Sequence, residues 1–234
     1  MNLVHGTQRG KVIQLGYFIT FEGVEGCGKT TQIRLLAERL IVHGFSTTLT
    51  REPGGCPIAD KIRAILLDAG NSNMSPLTEL MLYTAARAQH VSDVIVPALN
   101  NGNIVLCDRF CDATVAYQSF GRGIDRDTID ILNSHACQGV KPDLTVLIDC
   151  DPSVGLARAR RRIEASSGPR EERFELEEHP FHQRVRYGYQ QLASEQSHRF
   201  IIIEGDDSVE DISTLIAVQV LARIPEAKNA PDPL

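Results

Sequence analysis

The chain has 234 residues, 42% of them hydrophobic and 23% charged, with a formal net charge of -6. This acidic balance argues against an extended nucleic-acid surface or one that adheres to anionic membranes, since both need clustered basic residues; neither partner is expected. No run of eighteen apolar residues and no signal-peptide pattern is present, and the six cysteines lack paired C-x-x-C spacing, so the chain reads as a cytoplasmic protein with reduced thiols.

Residues 1–16 read as an N-terminal extension. The run 17–22 is β-prone and apolar, and it feeds Gly23-Val24-Glu25-Gly26-Cys27-Gly28-Lys29-Thr30, which matches G-x-x-x-x-G-K-[ST]. Glycines at these spacings let successive backbone N–H groups turn inward onto a polyphosphate, and the following helix N-terminus adds its positive end. Lys29 reaches the β- and γ-phosphates, and the Thr30 hydroxyl can ligate a bridging magnesium ion. Thr31 completes the loop, and Ile33, Leu36, Ala37 and Leu40 mark one face of the helix that follows.

A second strand at 47–49 leads into Thr50-Arg51-Glu52-Pro53-Gly54-Gly55, a turn at the carboxyl edge of the expected sheet, where α/β ligands bind. Arg51 there is either a phosphate ligand or half of a surface pair with Glu52 or another carboxylate. Ile58, Ile62, Ile65 and Leu66 suggest one helix; Leu77, Leu80, Met81 and Thr84 suggest another. On the second, Tyr83 and Arg87 stand four apart and share a face, Tyr83 being either a stacking ring or an ordinary core aromatic. A strand at 104–107 ends on Asp108-Arg109-Phe110, where Asp108 can hold magnesium directly or through water. Cys107 and Cys111 read as packed residues rather than a metal half-site.

After Asp125, Ile129 and Leu132 suggest a helix, followed by a strand at 144–148. Arg158, Arg160, Arg161, Arg162, Arg170 and Arg173 then surround Ser166-Ser167-Gly168-Pro169. The stretch from about 155 to 178 reads as a mobile lid, or as a solvated helix face whose arginines pair with nearby glutamates. Phe181, Val185 and Leu192 suggest the next helix, 200–203 the last strand, and Ser208-Val209-Glu210-Asp211 a capped helix start. The proline-bearing tail 224–234 should be loose. Five strands alternating with helices imply one α/β domain, 17–223, with a parallel sheet.

A phosphate acceptor accounts for arginines spread over separate loops. Its attacking oxygen is already ionised and needs no general base, so the obstacle is bringing two polyanions together, and the planar guanidinium suits that task. A nucleoside acceptor would instead need a base, for which Glu22 at the end of the first strand is the candidate. A nucleotide switch is disfavoured, because neither D-x-x-G nor N-K-x-D occurs.

Four motifs in order carry a more specific likeness: the run from Phe21 to Gln32 around the glycine loop, Thr50-Arg51-Glu52-Pro53-Gly54-Gly55, Asp108-Arg109-Phe110, and Ala116-Tyr117-Gln118 with Gly121-Arg122-Gly123. With the arginine-rich stretch, they resemble the thymidylate kinase family from about residue 18 to 220. The resemblance implies a P-loop NTPase-type three-layer αβα fold, a homodimer, and transfer of the γ-phosphoryl of ATP to dTMP with magnesium. By position it assigns Arg51 and Arg109 to the dTMP phosphate, Tyr83 to stacking on thymine, Arg87 to its carbonyl edge, Glu25 to the sugar 3′-hydroxyl, Tyr117 to the 2′ side and Gln118 along the base. It places Lys29, Arg109, Glu22 and the lid arginines Arg158 and Arg173 in the catalytic set, the lid supplying a cation that the loop lacks at Gly26 and Cys27. Phe110 and Ala113 replace residues that are more often polar in the family, Thr114 either supplying the hydroxyl missing at Ala113 or not, and Tyr83 replaces a phenylalanine.

Overall fold

The computed structural model describes residues 16–165 and 172–224. Runs rich in β-branched and aromatic residues form β1 (Tyr17–Glu22), β2 (Thr47–Arg51), β3 (Ile104–Asp108), β4 (Leu144–Asp149) and β5 (Phe200–Glu204), all parallel, in the order β2-β3-β1-β4-β5. The inner strands are apolar on both faces because helices cover both: Phe18, Ile19 and Phe21 of β1, Val105 and Leu106 of β3, and Val146 and Ile148 of β4 are sealed from solvent. Each strand runs past its apolar stretch to close on a charged residue. Register pairs Asp108 with both Arg51 and Phe21, so the ends of β2, β3 and β1 lie level and deliver three loops to one edge.

The helices are α1 (Lys29–Val42), α2 (Pro57–Leu67), α3 (Pro76–His90), α4 (Val96–Asn100), α5 (Cys111–Thr114), α6 (Arg126–Ala136), α7 (Pro152–Glu164), α8 (His179–Glu195) and α9 (Val209–Leu221). Side-chain oxygens of Ser75, Asp125, Asp151 and Ser208 accept from orphan N–H groups at the starts of α3, α6, α7 and α9. The expected face of α1 is inward, with Ile33, Leu36, Ala37 and Leu40 buried.

Three features differ from the sequence expectation. On α2 and α3, Ile58, Ile65, Leu77 and Met81 face outward, each about half exposed, while Ala59, Leu66 and Leu80 take the interior. The stretch 91–121 holds two π-helical turns, Val91–Ile95 joining α3 to α4 and Val115–Gly121 continuing α5. The wider turn breaks the 3.6-residue period and leaves four consecutive residues, Val115 to Gln118, buried. Arg158, Arg160, Arg161 and Arg162 of the expected lid lie on α7; its centre, Ser166-Ser167-Gly168-Pro169 with Arg170, falls outside the described residues, as do most of the N-terminal extension and the tail.

All six cysteines are free. Cys107 is buried in an apolar cluster with Phe18, Val91, Ile95 and Phe110, and Cys111 packs at its margin. Among the described residues, no group of three or more His, Cys, Asp or Glu is placed to hold a metal, and no helix is long and apolar enough to cross a membrane.

Candidate active site

The loop between β1 and α1 wraps its own lysine. Lys29 Nζ donates to the carbonyls of Gly23 and Val24 at 3.1 and 2.9 Å and approaches Cys27 Sγ at 3.4 Å, so the ammonium sits under the arch of the loop. Gly26 has a φ of +68°, and a Cβ there would stand 2.0 Å from the carbonyl oxygen of Gly155; a Cβ on Gly155 would stand 2.2 Å from that of Glu25. Loop and first turn of α7 therefore meet backbone to backbone, which leaves no room for an arginine at position 26. Arg158, three residues on along α7 from Gly155, lines the same cavity and donates to Gly205 O.

That cavity, of about 1330 Å³, follows the carboxyl edge of the sheet. Glu25 to Thr31, Arg51, Tyr83, Arg87, Asp108, Arg109, Tyr117, Gln118 and Arg158 all line it, so one space gathers nearly every residue singled out from the sequence. Gly23 and Val24 lie beneath the loop, where their carbonyls hold Lys29. The Thr30 hydroxyl donates to Asp108 Oδ2 at 2.7 Å, uniting the two expected magnesium ligands. Two hard oxygen donors beside a polyphosphate loop fit magnesium, which takes one or two protein oxygens and fills its octahedron with phosphates and water.

At the other end, Arg51 and Glu52 part company. Arg51 turns into the cavity with its guanidinium 3.7 Å from Asp60, both half exposed. Glu52 turns inward: Oε2 accepts from Arg87 Nε at 2.8 Å, and Oε1 lies 2.9 Å from His90 Nδ1. Arg87 also donates to Asn133 at 2.7 Å and lies over the Phe110 ring. Thus the hydrocarbon ring at Phe110 serves as a floor for a buried guanidinium. Tyr83, half-buried, tilts against Phe174 with 6.3 Å between ring centres.

Arg109 follows β3 with a φ of 69°, a left-handed conformation unusual for a non-glycine residue and characteristic of functional turns. That bend aims its guanidinium across the site, where it donates to Gly23 O and Tyr189 OH at 2.9 Å, meets Glu25 Oε1 at 3.3 Å and lies over the Tyr117 ring. Tyr117 OH donates to the same Glu25 oxygen. Burial alone would raise the Glu25 pKa, but contact with the His182 ring and then the charge of Arg109 prevail and hold it at about 2.

Two expected catalytic groups lie elsewhere. Glu22 is fully buried behind Arg109 and does not line the cavity; it accepts from Phe110 N at 2.7 Å and Tyr189 OH at 2.8 Å. Burial first, and then the Asp112 carboxylate, push its pKa up to about 8 against the pull of Arg109 and these two donors. Arg173 is also buried, donating to Leu66 O and to Glu79 Oε2 at 2.6 Å, away from the cavity. It is a strut between α2 and α3, because Glu79 offers a buried carboxylate that outcompetes solvent for its charge.

A profile of the family "Thymidylate kinase" matches residues 21–216. The thymidylate kinase of Pelobacter propionicus is 67% identical over 207 residues, 88% of this chain and 94% of the relative; that of Geobacter sulfurreducens is 59% identical over 211 residues, 90% and 99%. The chain belongs to the thymidylate kinase family. The crystal structure of the Ehrlichia chaffeensis thymidylate kinase has the same fold, at 35% identity, with a TM-score of 0.69 covering 88% of this chain and 97% of that one.

One feature of this thymidylate kinase site escaped sequence reasoning. Glu79, 1% exposed, takes hydrogen bonds from Gln118, Arg122 and Arg173, joining three segments far apart in sequence. No local pattern marks a glutamate in a first helical turn as such a hub. Thr114, the candidate for the hydroxyl missing at Ala113, lines the cavity, and its Oγ1 is buried without a hydrogen-bond partner among the described residues.

Proposed function

We infer that the chain transfers the γ-phosphoryl group of ATP to dTMP, giving dTDP. The observation that carries this reading is one continuous cavity with the phosphate loop at one end, Tyr83, Arg87 and Tyr117 at the other, and the Thr30–Asp108 pair beside the loop. In this reading ATP phosphates lie along Gly26 to Thr31, and Arg51 and Arg109 receive the acceptor phosphate. Tyr83 stacks on thymine, Arg87 faces its carbonyl edge, Tyr117 crowds the sugar 2′ position, Gln118 lies along the base, and Glu25 accepts from the 3′-hydroxyl. Both anions are thereby aligned and neutralised, and an ionised phosphate oxygen attacks without a base. Magnesium held by Thr30 and Asp108 would supply charge neutralisation across the β- and γ-phosphates. Arg158 provides the cation that Gly26 and Cys27 do not. The kinase unit is taken as residues 17–223, with about 155–178 closing over ATP; six free thiols suit a reducing cytoplasm. The outward Ile58, Ile65, Leu77 and Met81 on neighbouring helices suit the face of a homodimer.

The test is turnover with ATP and magnesium against a panel of nucleosides and monophosphates: dTMP is expected to react and thymidine is not. Phosphorylation of thymidine alone would replace this reading with a nucleoside kinase. Arg51→Ala should raise KM for dTMP about tenfold or more while leaving KM for ATP nearly unchanged, as suits one charge-assisted contact on the acceptor only. Equal losses for both substrates would contradict that assignment.

Glu22→Gln separates a buried support from a base. Because the carboxyl lies off the cavity, kcat should stay within about threefold of the parent, whereas loss of a general base costs about 100-fold or more. The same variant has a pH signature. With a folded pKa of about 8 against an ordinary 4.5, the folded state holds a proton the unfolded state has lost, so the stability Glu22 contributes is full below 4.5 and is lost as pH rises through 8. Chemical denaturation at several pH values should show a flatter slope over that window in Glu22→Gln.

A further inference from the structure

His182 belongs to no motif used above, yet it is fully buried beside the one loop carboxylate that borders the acceptor space. Its Nδ1 stands 3.2 Å from Glu25 Oε2. Neither ring nitrogen of His182 has a hydrogen-bond partner among the described residues, and neither has Glu25 Oε2, so the two meet at ion-pair distance without hydrogen-bond geometry. A ring nitrogen and a carboxylate oxygen, both sealed from water and both unsatisfied, thus lie within reach of each other, an arrangement that costs desolvation unless the pair is held for a purpose. The Phe181 ring meets the imidazole edge-on at 5.3 Å between ring centres, limiting its rotation.

The rest of the Glu25 shell says what that purpose is. Oε1 is already claimed by Tyr117 OH and the Arg109 guanidinium. The oxygen left to fix is Oε2, which His182 approaches. We propose that His182 is a positioning residue: its Nδ1, already 3.2 Å from Glu25 Oε2, closes to a hydrogen bond as the acceptor nucleotide binds, so that the carboxylate presents an oriented lone pair to the 3′-hydroxyl, which sets selectivity for a sugar that carries that hydroxyl. The imidazole itself touches no substrate. An ionised Glu25 is acceptor-only, so orientation is all it needs to discriminate a hydroxyl from hydrogen. The inference rests on the assignment of Glu25 to the 3′-hydroxyl.

The experiment compares kcat/KM for dTMP and for its 3′-deoxy analogue in the full-length enzyme, His182→Phe, His182→Asn and Glu25→Gln. His182→Phe should lose about tenfold on dTMP and little on the analogue, the size of one hydrogen bond to a charged group. His182→Asn, whose amide N–H stands near the position of Nδ1, should recover most of the difference. Equal losses on both substrates in His182→Phe would mark a packing role and overturn the proposal. If Glu25→Gln collapses the dTMP preference while His182→Phe preserves it, the Glu25 assignment stands and the His182 role falls; if Glu25→Gln preserves it, both fall. Should His182→Phe fail to fold, nitrogen NMR of the parent decides: the proposal requires a proton on Nδ1, and a bare Nδ1 overturns it.

Discussion

Lys29→Ala is expected to lower kcat by about 10²–10³-fold, or about 2.7–4 kcal/mol of transition-state stabilisation, with KM for dTMP little changed. Lys29 is 7% exposed and its ammonium rests on two loop carbonyls, so its charge is already oriented before nucleotide arrives. Charge that moves onto the bridging oxygen as the γ-phosphoryl leaves meets a donor that needs no reorganisation, which is why the loss should fall on the chemical step. Lys29→Arg should not rescue activity, because a planar fork cannot occupy a seat shaped for a point charge between Gly23 O and Val24 O. Single-turnover rates at saturating ATP and dTMP provide the measurement. An unchanged rate in Lys29→Ala would remove the lysine from the mechanism.

The largest stability effect is expected at Glu52, a residue with no direct part in the chemistry. Its side chain is 3% exposed, and it neutralises an Arg87 side chain that is 1% exposed. Glu52→Ala leaves that guanidinium buried with Asn133 and the Phe110 face as its remaining support, a type of change that costs about 3–5 kcal/mol. For a protein of this size the melting temperature should fall by roughly 6–20 °C. Replacing both Glu52 and Arg87 by methionine should recover much of the stability, since no orphan charge remains, while dTMP binding stays impaired by the missing guanidinium. A Glu52→Ala melting temperature equal to that of the parent would show that the pair is not an isolated buried charge. Calorimetry of the two variants, with KM for dTMP, separates the support from the contact.

The thymine end shows how far local pattern reaches. Tyr83 and Arg87 were legible as a pair on one face because helical spacing is a local property, and the cavity does contain both. That Arg87 is tied to Glu52 was not legible, since adjacent Arg51 and Glu52 diverge at the end of β2, the guanidinium toward exposed Asp60 and the carboxylate toward buried Arg87. Similarly, the arginine cluster was visible as composition, but its members have different fates. Arg158 lines the cavity because α7 leans on the glycine loop at Gly26 and Gly155, whereas Arg173 is captured by Glu79.

By itself, the sequence determined the parallel sheet, the glycine loop, the strand-end positions of Arg51 and Asp108, and the reaction class, because each follows from short-range chemistry: alternation of apolar runs, backbone freedom at glycine, and residue types that suit phosphate. Only the tertiary structure decided which charges serve the cavity. Glu22 and Arg173 look as available in sequence as Lys29 and Arg109, but burial of a charge is settled by what distant segments bring against it. Tyr189 and Phe110 N claim Glu22, Glu79 claims Arg173, and the left-handed turn at Arg109 sends that guanidinium across the site instead.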